Sequence, residues 1–254
     1  MSTAPPLDVA KESSLRGTTG SGALALAAPA PRIGLSLCDL DHAGTDVASL
    51  RASLSAEEDA RAGRFGTTLL RQRWIAGRAT LRLLLAEALA IDPAAIRLRR
   101  GIRGRPELDG DYGIDFNVSH TGGTALIAIA TGAEDTMHIG IDIEREDRRV
   151  DADGLARKFL SEHERGEIAG LDPDDRRRTF LRLWTCKEAM SKATGDALSA
   201  PFRHMVVALD GGPRLIAGPA PYTPAAWQLV AAAAPPGFIA TLAIWRFAPA
   251  HERP

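Results

Sequence analysis

The chain has 254 residues, of which 45% are hydrophobic and 25% charged, a composition typical of a globular protein with one large domain or two small ones. The formal net charge of −1 excludes a general electrostatic attraction to nucleic acid or membranes, and no apolar stretch approaches the length of a membrane span. The two cysteines, Cys38 and Cys186, are too few for a disulfide framework, so we expect a reduced, cytoplasmic setting.

The first half of the chain alternates strand and helix patterns after a polar start. Residues 1–31 are rich in Ala, Pro, Ser, Thr and Gly and lack the basic start of a secretory signal, so we expect a disordered tail. Ser55 and Glu58 have the spacing of a capping box at a helix start. A longer helix is predicted over 67–90, because its apolar residues form one stripe. Strands are predicted over 32–39, 116–118, 125–131 and 139–143, with a short amphipathic strand near 96–98.

The second half has the same alternating style. Helices are predicted over 150–159, 161–168 and 176–194, and strands over 205–209, 227–232 and 238–247. The strand pattern at 239–244 is similar in composition to the one at 124–130, and each stands at the end of a half. This similarity is a weak sign of an internal repeat.

Two acidic motifs about forty residues apart carry the chemistry. On a strand over 139–143, Asp142 and Glu144 share one face while the isoleucines between them share the other. On the helix over 176–194, Trp184, Glu188 and Lys192 follow at i, i+4 and i+8 and line one face. If strand and helix meet, three carboxylates converge beside a lysine. Such a group suits a hard cation that also holds a phosphate, because magnesium prefers oxygen ligands and shares them with substrate phosphates.

Each of these residues also has an ordinary structural interpretation. A single carboxylate is most often solvated, and Glu144 begins a run of charges of the kind that usually faces solvent. Glu188 and Lys192 have the spacing of a simple helical salt bridge, worth a few tenths of a kcal/mol. Only the combination favours a site.

Five sequence blocks, in this order and spacing, resemble the 4′-phosphopantetheinyl transferases of the Sfp type. They are Gly-Arg-Pro at 104–106, Phe-Asn-Val-Ser-His at 116–120, Ile-Gly-Ile-Asp-Ile-Glu at 139–144, Phe-Leu-Ser at 159–161, and Trp-Thr-Cys-Lys-Glu-Ala-Met-Ser-Lys at 184–192. The resemblance implies an α/β (α+β) fold of two similar subdomains related by pseudo-twofold symmetry, with the ligand cleft between them. It implies subdomains at 32–136 and 137–248, with a boundary near 135–138, and a second tail at 249–254.

The resemblance also implies roles for individual residues. Asp142, Glu144 and Glu188 would hold magnesium, with manganese as the alternative ion. Lys192 would lie on the pyrophosphate of coenzyme A, with Lys187 in support. Further contacts to the phosphates of coenzyme A are implied for Ser119, His120, Arg105 and, less securely, Arg73. Glu188, directly or through a metal-bound water, would be the base, with Glu164 as the second choice. Trp184 is interpreted as packing that sets the helix against the strand.

The function implied is transfer of the 4′-phosphopantetheine arm of coenzyme A to a serine of an apo acyl or peptidyl carrier protein, with release of adenosine 3′,5′-bisphosphate. Two rival functions stay open: a different magnesium phosphotransferase, although a Walker A loop is absent, and a non-catalytic module that binds coenzyme A or a carrier protein. The arginines over 97–105 have no interleaved aromatic residues, so nucleic-acid binding is not expected. A monomer is expected, because two fused halves build the cleft without a partner.

Overall fold

Helices and strands fall into two sets, one in each half of the chain. The structure, a computed structural model, describes residues 15–18, 23–41, 47–101, 104–133 and 136–247. The first set is β1 (Leu15–Thr18), β2 (Leu24–Leu26), β3 (Ile33–Asp39), α1 (Val47–Arg51), α2 (Ala56–Ala62), α3 (Thr68–Leu89), β4 (Leu98–Arg100), β5 (Pro106–Leu108), β6 (Ile114–Thr121) and β7 (Thr124–Thr131). The second set is β8 (Met137–Arg145), α4 (Ala152–Phe159), α5 (Glu162–Ala169), α6 (Pro173–Thr194), β9 (Val206–Ala208), β10 (Arg214–Ala217), β11 (Trp227–Ala231) and β12 (Phe238–Arg246).

Each set builds an antiparallel sheet. Among the described strands, the first sheet has the order β1-β2-β3-β7-β6 and the second the order β11-β12-β8, with two short hairpins, β4-β5 and β9-β10, outside them. The mixed α/β class and the two sheet-rich halves confirm the predicted fold class. The first sheet ends with β7 and the second begins with β8, so sheet membership changes between residues 131 and 137. None of the described helices combines the length and apolarity needed to cross a membrane.

The tail prediction is wrong for part of residues 1–31. Leu24–Leu26 forms β2, which pairs with β3, and the side chain of Leu26 is buried in the core. A three-residue apolar segment can be ordered by adding to an existing sheet edge, which composition alone does not reveal. Residues 1–14 and 19–22 of that tail, the predicted tail 249–254, Arg103 and Asp135 lie outside the described residues. The strand expected near 96–98 lies instead at Leu98–Arg100.

The predicted helices are confirmed, and capping residues mark where they begin and end. Ser55 and Glu58 form the predicted capping box, and α3 begins at Thr68 after the N-cap Thr67. At α6, Asp172 accepts the backbone N–H groups of Asp174 and Asp175, and Pro173 takes the first position, where no N–H is needed. Gly195 ends α6 in the left-handed conformation, at φ 78°.

The two sheets meet edge to edge, at β6 and β8. Side chains of β6 accept hydrogen bonds from backbone N–H groups of β8: Asp115 from Ile139 (2.7 Å), Asn117 from Ile141 (3.1 Å) and Ser119 from Ile143 (3.3 Å). We call these three bonds the side-chain ladder. The ladder satisfies donors that a sheet edge would otherwise leave unpaired, and it fixes the register of one half against the other.

The two faces of β8 have different neighbours, as the alternation predicted. Ile139, Ile141 and Ile143 are buried in an apolar core that both sheets share. On the opposite face, a Cβ added at Gly140 would lie 1.9 Å from the Ala189 carbonyl oxygen of α6. Only glycine permits so close an approach of helix and strand backbones. The acidic face of β8 is therefore the face that α6 covers.

Candidate active site

Asp142, Ser119 and Lys192 form the centre of the site, where β6, β8 and α6 meet. The ammonium of Lys192 donates to Asp142 Oδ1 at 2.6 Å, to Ser119 Oγ at 2.8 Å and to the Ile141 carbonyl oxygen at 3.2 Å. Ser119 Oγ donates to Asp142 Oδ1 at 2.7 Å. The carboxylate of Asp142 is buried, and its second oxygen, Oδ2, has no hydrogen-bond partner among the described residues. The structure therefore brings a strand acid and a helix lysine together.

Glu144 and Glu188 lie close enough to Asp142 for its negative charge to raise the pKa of each. Burial and the neighbouring charge of Asp142 raise the pKa of Glu144, although Arg148 opposes this. The same two causes, in the same order, raise the pKa of Glu188 to about 7, although Lys192 opposes them. Like charges held together in a partly buried site disfavour ionisation, and a divalent cation relieves that repulsion.

The carboxylates are held by protein cations rather than set around a ready metal position. Glu144 accepts from Thr121 Oγ1 at 3.0 Å and pairs with Arg148, while Lys192 holds Asp142. Within the described ranges, no group of three or more ligand side chains is arranged tightly enough to hold a metal ion. The donor set nevertheless fits a hard cation, because all its donors are carboxylate oxygens and Asp142 Oδ2 is a buried acceptor in need of a partner.

A cleft of about 210 Å³ runs between the two halves beside this centre. Its walls come from both sets of elements: Gly104, Arg105, Pro106, Phe116, Asn117 and Val118 on one side, and Ser191, Lys192, Gly195 and Ala197 on the other. Pockets between domains are common ligand sites. His120 is exposed at the end of β6, next to Ser119.

The two arginines expected to bind phosphate are placed differently. Arg105 lines the cleft and is buried, with most of its donors engaged by protein groups and only Nη1 left without a partner among the described residues. Arg73, on α3, pairs with Asp41 through two hydrogen bonds of 2.6 and 2.9 Å and does not line the cleft. The two guanidinium groups are held in separate ion pairs.

Glu164 and Lys187 do not reach the site. Both are fully buried and pair with each other at 2.8 Å. Lys187 Nζ also donates to the carbonyl oxygens of Phe202 and Met205, and Glu164 accepts from Ser161 and from the Val207 N–H. The expected roles, a second base for Glu164 and a substrate contact for Lys187, are corrected by this arrangement, because neither charged group is accessible to a substrate. The Glu164–Lys187 ion pair links α5 to α6, and the bond from the Val207 N–H to Glu164 adds β9.

Trp184 is a packing residue among aromatic side chains. It contacts the rings of Phe159, Phe180 and Phe202, with centroid distances of 4.8, 6.2 and 5.7 Å. These contacts set α6 against α4 and the 202–204 turn.

The sequence reasoning missed Asp115 and Asn117, the first two members of the side-chain ladder. A signal was present, because Asp115, Asn117 and Ser119 alternate with Phe116 and Val118 and so form one polar face on a buried strand. It also missed Thr121 and Arg148, which contact Glu144. Nothing in the local sequence marks these two as partners of an acid on β8.

Comparisons with known proteins match both halves. Residues 138–243 match the family profile described as the 4′-phosphopantetheinyl transferase superfamily. Residues 44–132 match the profile described as 4′-phosphopantetheinyl transferase, N-terminal. A fold of two sheet-rich halves, with a carboxylate–lysine centre between them, thus coincides with two profiles of one enzyme class.

Curated relatives lead to the same class. The chain is 36% identical over 163 residues to the 4′-phosphopantetheinyl transferase HetI of Nostoc sp., covering 63% of this chain and 67% of the relative. It is 33% identical over 185 residues to a putative 4′-phosphopantetheinyl transferase of Synechocystis sp., covering 70% of each. It is 28% identical over 156 residues to Sfp of Bacillus subtilis, covering 61% of this chain and 66% of the relative. The chain belongs to the 4′-phosphopantetheinyl transferase superfamily and to that enzyme class.

Proposed function

We propose that this protein transfers the 4′-phosphopantetheine arm of coenzyme A to a serine hydroxyl of an apo acyl or peptidyl carrier protein, with magnesium, releasing adenosine 3′,5′-bisphosphate. The observation that carries the proposal is the contact of Lys192 with Asp142 and Ser119 on the wall of an inter-half cleft. A pyrophosphate substrate requires positive charge there, and the unpartnered Oδ2 of the buried Asp142 is a suitable ligand for a cation.

Asp142, Glu144 and Glu188 are the residues that would hold the cation. Magnesium bound there would neutralise negative charge on the pyrophosphate. Lys192 supplies further positive charge on the cleft wall, where negative charge accumulates on the leaving nucleotide. Ser119, His120 and Arg105 are the proposed contacts for the phosphates of coenzyme A. Arg73, which is paired with Asp41 through Nε and Nη2, is the remaining proposed contact.

Glu188 is the proposed base. The serine oxygen forms a bond to the phosphorus that carries the pantetheine arm, the bond from that phosphorus to the nucleotide oxygen breaks, and the serine proton passes to the Glu188 carboxylate. Without a cation, burial and the charge of Asp142 raise the pKa of Glu188 to about 7, and a bound cation would lower this pKa, so that Glu188 would be ionised and able to accept the proton at neutral pH. Glu188 has no hydrogen-bond partner among the described side chains that would compete for the proton.

The remaining proposals concern the setting of the reaction. We propose subdomains divided between residues 136 and 137, a monomer, and a cytoplasmic location. The rival functions can be distinguished by their products. A binding module would form no modified carrier protein, and another phosphotransferase would form a product other than the phosphopantetheinylated carrier.

Intact-mass spectrometry of an apo carrier protein, incubated with this protein, coenzyme A and magnesium, tests the proposal. The expected result is a gain of about 340 Da on the carrier, the mass of one phosphopantetheine arm, which disappears when magnesium is omitted. No gain across several apo carriers, with coenzyme A binding intact, would favour the binding module. No gain and no coenzyme A binding would contradict the proposed substrate.

A further inference from the structure

Asp115 is a buried carboxylate in the first half that binds groups of both halves. Its oxygens accept from Arg105 Nη2 at 2.9 and 2.8 Å, and Oδ2 also accepts the backbone N–H of Ile139 at 2.7 Å. Burial alone would raise the pKa of Asp115, but His138 and Arg105 outweigh burial and hold this pKa below its usual value. Asp115 is therefore an anion, fixed by an arginine on one side and by the start of β8 on the other.

Arg105 carries this connection across the interface between the halves. Besides Asp115, its Nη2 donates to the carbonyl oxygens of Phe116 (3.3 Å) and Ile139 (3.0 Å), and its Nε donates to the carbonyl oxygen of Lys192 at 3.1 Å. The last four carbonyls of a helix have no partner within the helix, and Lys192 lies in the last turn of α6. A guanidinium there satisfies one of them and interacts favourably with the helix dipole.

The backbone of Lys192 is thus held by Arg105 while its ammonium is held by Asp142 and Ser119. Ser119 belongs to the same ladder as Asp115, two residues beyond Asn117 on β6. The backbone and the ammonium of Lys192 are therefore both connected to β6, the backbone through Arg105 and Asp115 and the ammonium through Ser119. A shift of the guanidinium would move the end of α6 relative to the carboxylates on β8.

We propose that Asp115 is a positioning residue for Lys192 and acts through Arg105. The expected change in kcat rests on the proposed function, whereas the contacts among Asp115, Arg105 and Lys192 do not depend on it. Asp115 orients the guanidinium, the guanidinium anchors the end of α6, and this anchor sets the ammonium of Lys192 in the cleft.

The kinetic test uses Asp115→Asn, which keeps an acceptor for the Ile139 N–H but removes the charge that fixes Arg105. We expect kcat to fall about tenfold while KM for the carrier protein changes less than about twofold, because the displaced groups, Lys192 and Arg105, are proposed to contact coenzyme A rather than the carrier. In a Lys192→Ala background, Asp115→Asn should have a much smaller effect on kcat, since only the part that acts through Arg105 itself is left. An equal fall in both backgrounds would overturn the proposal.

Glu58→Gln is the matched control. Glu58 is also a buried acid, and it pairs with Arg78 and Arg82 in the first half, away from the cleft. We expect this variant to lose stability and to keep its kcat. If it lowers kcat as much as Asp115→Asn does, general destabilisation explains the effect and the proposal fails.

Hydrogen exchange provides a measurement that needs no activity. Asp115→Asn should speed amide exchange at the end of α6, over residues 190–196, about tenfold, and Glu58→Gln should not. Unchanged exchange would overturn the proposal even if kcat falls. Failure of the wild-type protein to modify any carrier would refute the proposed function but leave this test valid. If Asp115→Asn does not fold, Arg105→Lys, which removes the Nε donor to the Lys192 carbonyl oxygen, tests the same link by hydrogen exchange, with the same expected result over residues 190–196.

Discussion

Each half of the molecule contains a buried glutamate that closes a capping box and pairs with a cation on a 22-residue helix. In the first half Glu58 closes the box with Ser55 and binds Arg82 of α3 at 2.5 Å. In the second half Glu164 closes the box with Ser161 and binds Lys187 of α6 at 2.8 Å. Both boxes begin Leu-Ser, at residues 54–55 and 160–161. The pair that seemed catalytic in one half has a structural counterpart in the other.

The halves differ at the next position along each helix. Leu83 follows Arg82 and packs partly buried in the core of the first half, whereas Glu188 follows Lys187 and joins the carboxylate group. The comparison indicates that the glutamate–cation pair supports the fold in both halves, and that the residues proposed for the chemistry occupy neighbouring positions on α6.

A second difference is how closely each helix approaches its surroundings. A Cβ added at Gly77 of α3 would lie 3.3 Å from a side-chain carbon of Leu40, a contact that can adjust. A Cβ at Gly140 would lie 1.9 Å from the Ala189 carbonyl oxygen, a backbone atom that cannot. The close contact of β8 with α6 is what brings Glu188 and Lys192 to Asp142.

The largest expected effect comes from removing the central acid of the second half. Asp142→Ala should lower the transfer rate by about a thousandfold or more and abolish magnesium binding, while the fold survives, because it removes the anion that both Lys192 and the cation require. Transfer assays and calorimetric titration of magnesium check this. The control is Asp147→Ala, an exposed acid two residues beyond β8, which should behave as wild type. Wild-type turnover in Asp142→Ala would contradict the metal site.

The two buried pairs should respond alike to loss of the cation. Lys187→Met and Arg82→Met should each lower the free energy of unfolding by about 3–5 kcal/mol. The first leaves the buried Glu164 charge without its cation. The second leaves Glu58 with Arg78 alone and removes the donor to the Pro93 and Ile96 carbonyl oxygens. Urea unfolding measures this, and kcat per folded molecule should stay within about twofold of wild type for both. If Lys187→Met kept its stability and lost transfer, Lys187 would belong to the chemistry after all.

The next effect in size is the loss of stability expected when Gly140, which lies against the backbone of α6, is replaced. Gly140→Ala should destabilise by about 3 kcal/mol, because the added methyl group meets the Ala189 carbonyl oxygen and can be relieved only by moving α6. Gly166→Ala, in α5 with no atom within 4 Å of the added carbon, is the matched control and should stabilise by about 0.5–1 kcal/mol. Thermal unfolding of both variants provides the comparison. A Gly140→Ala protein as stable as wild type would show that the close approach is not required.

The smallest effect concerns pH. Glu188 in the folded, metal-free protein holds its proton up to a pKa of about 7, while the unfolded chain releases it near 4.5. The folded state therefore binds more protons in between, so stability should fall as pH rises from about 4.5 to 7. Glu188→Gln should remove about 1–2 kcal/mol of that fall, less than the full conversion of the shift, since the side chain is only partly buried. Urea unfolding in EDTA at pH 5 and 8 measures it. An identical fall in Glu188→Gln would show that Glu188 is not the titrating group.

The sequence by itself determined the elements whose signals are local. The capping boxes, the two long helices and the alternating faces of β8 follow from residue type and spacing, and the strand acids with Glu188 and Lys192 follow from the periodicities of strand and helix. The sequence also indicates that Asp115 belongs to a polar strand face, but it does not indicate that Arg105 is its partner. Only the tertiary structure decided that Lys187 and Glu164 turn into a buried pair, and that Arg105 joins Asp115 to the end of α6. These outcomes depend on contacts between residues far apart in the chain, such as the 87 positions from Arg105 to Lys192, and no local pattern records which charge will find which partner once water is excluded.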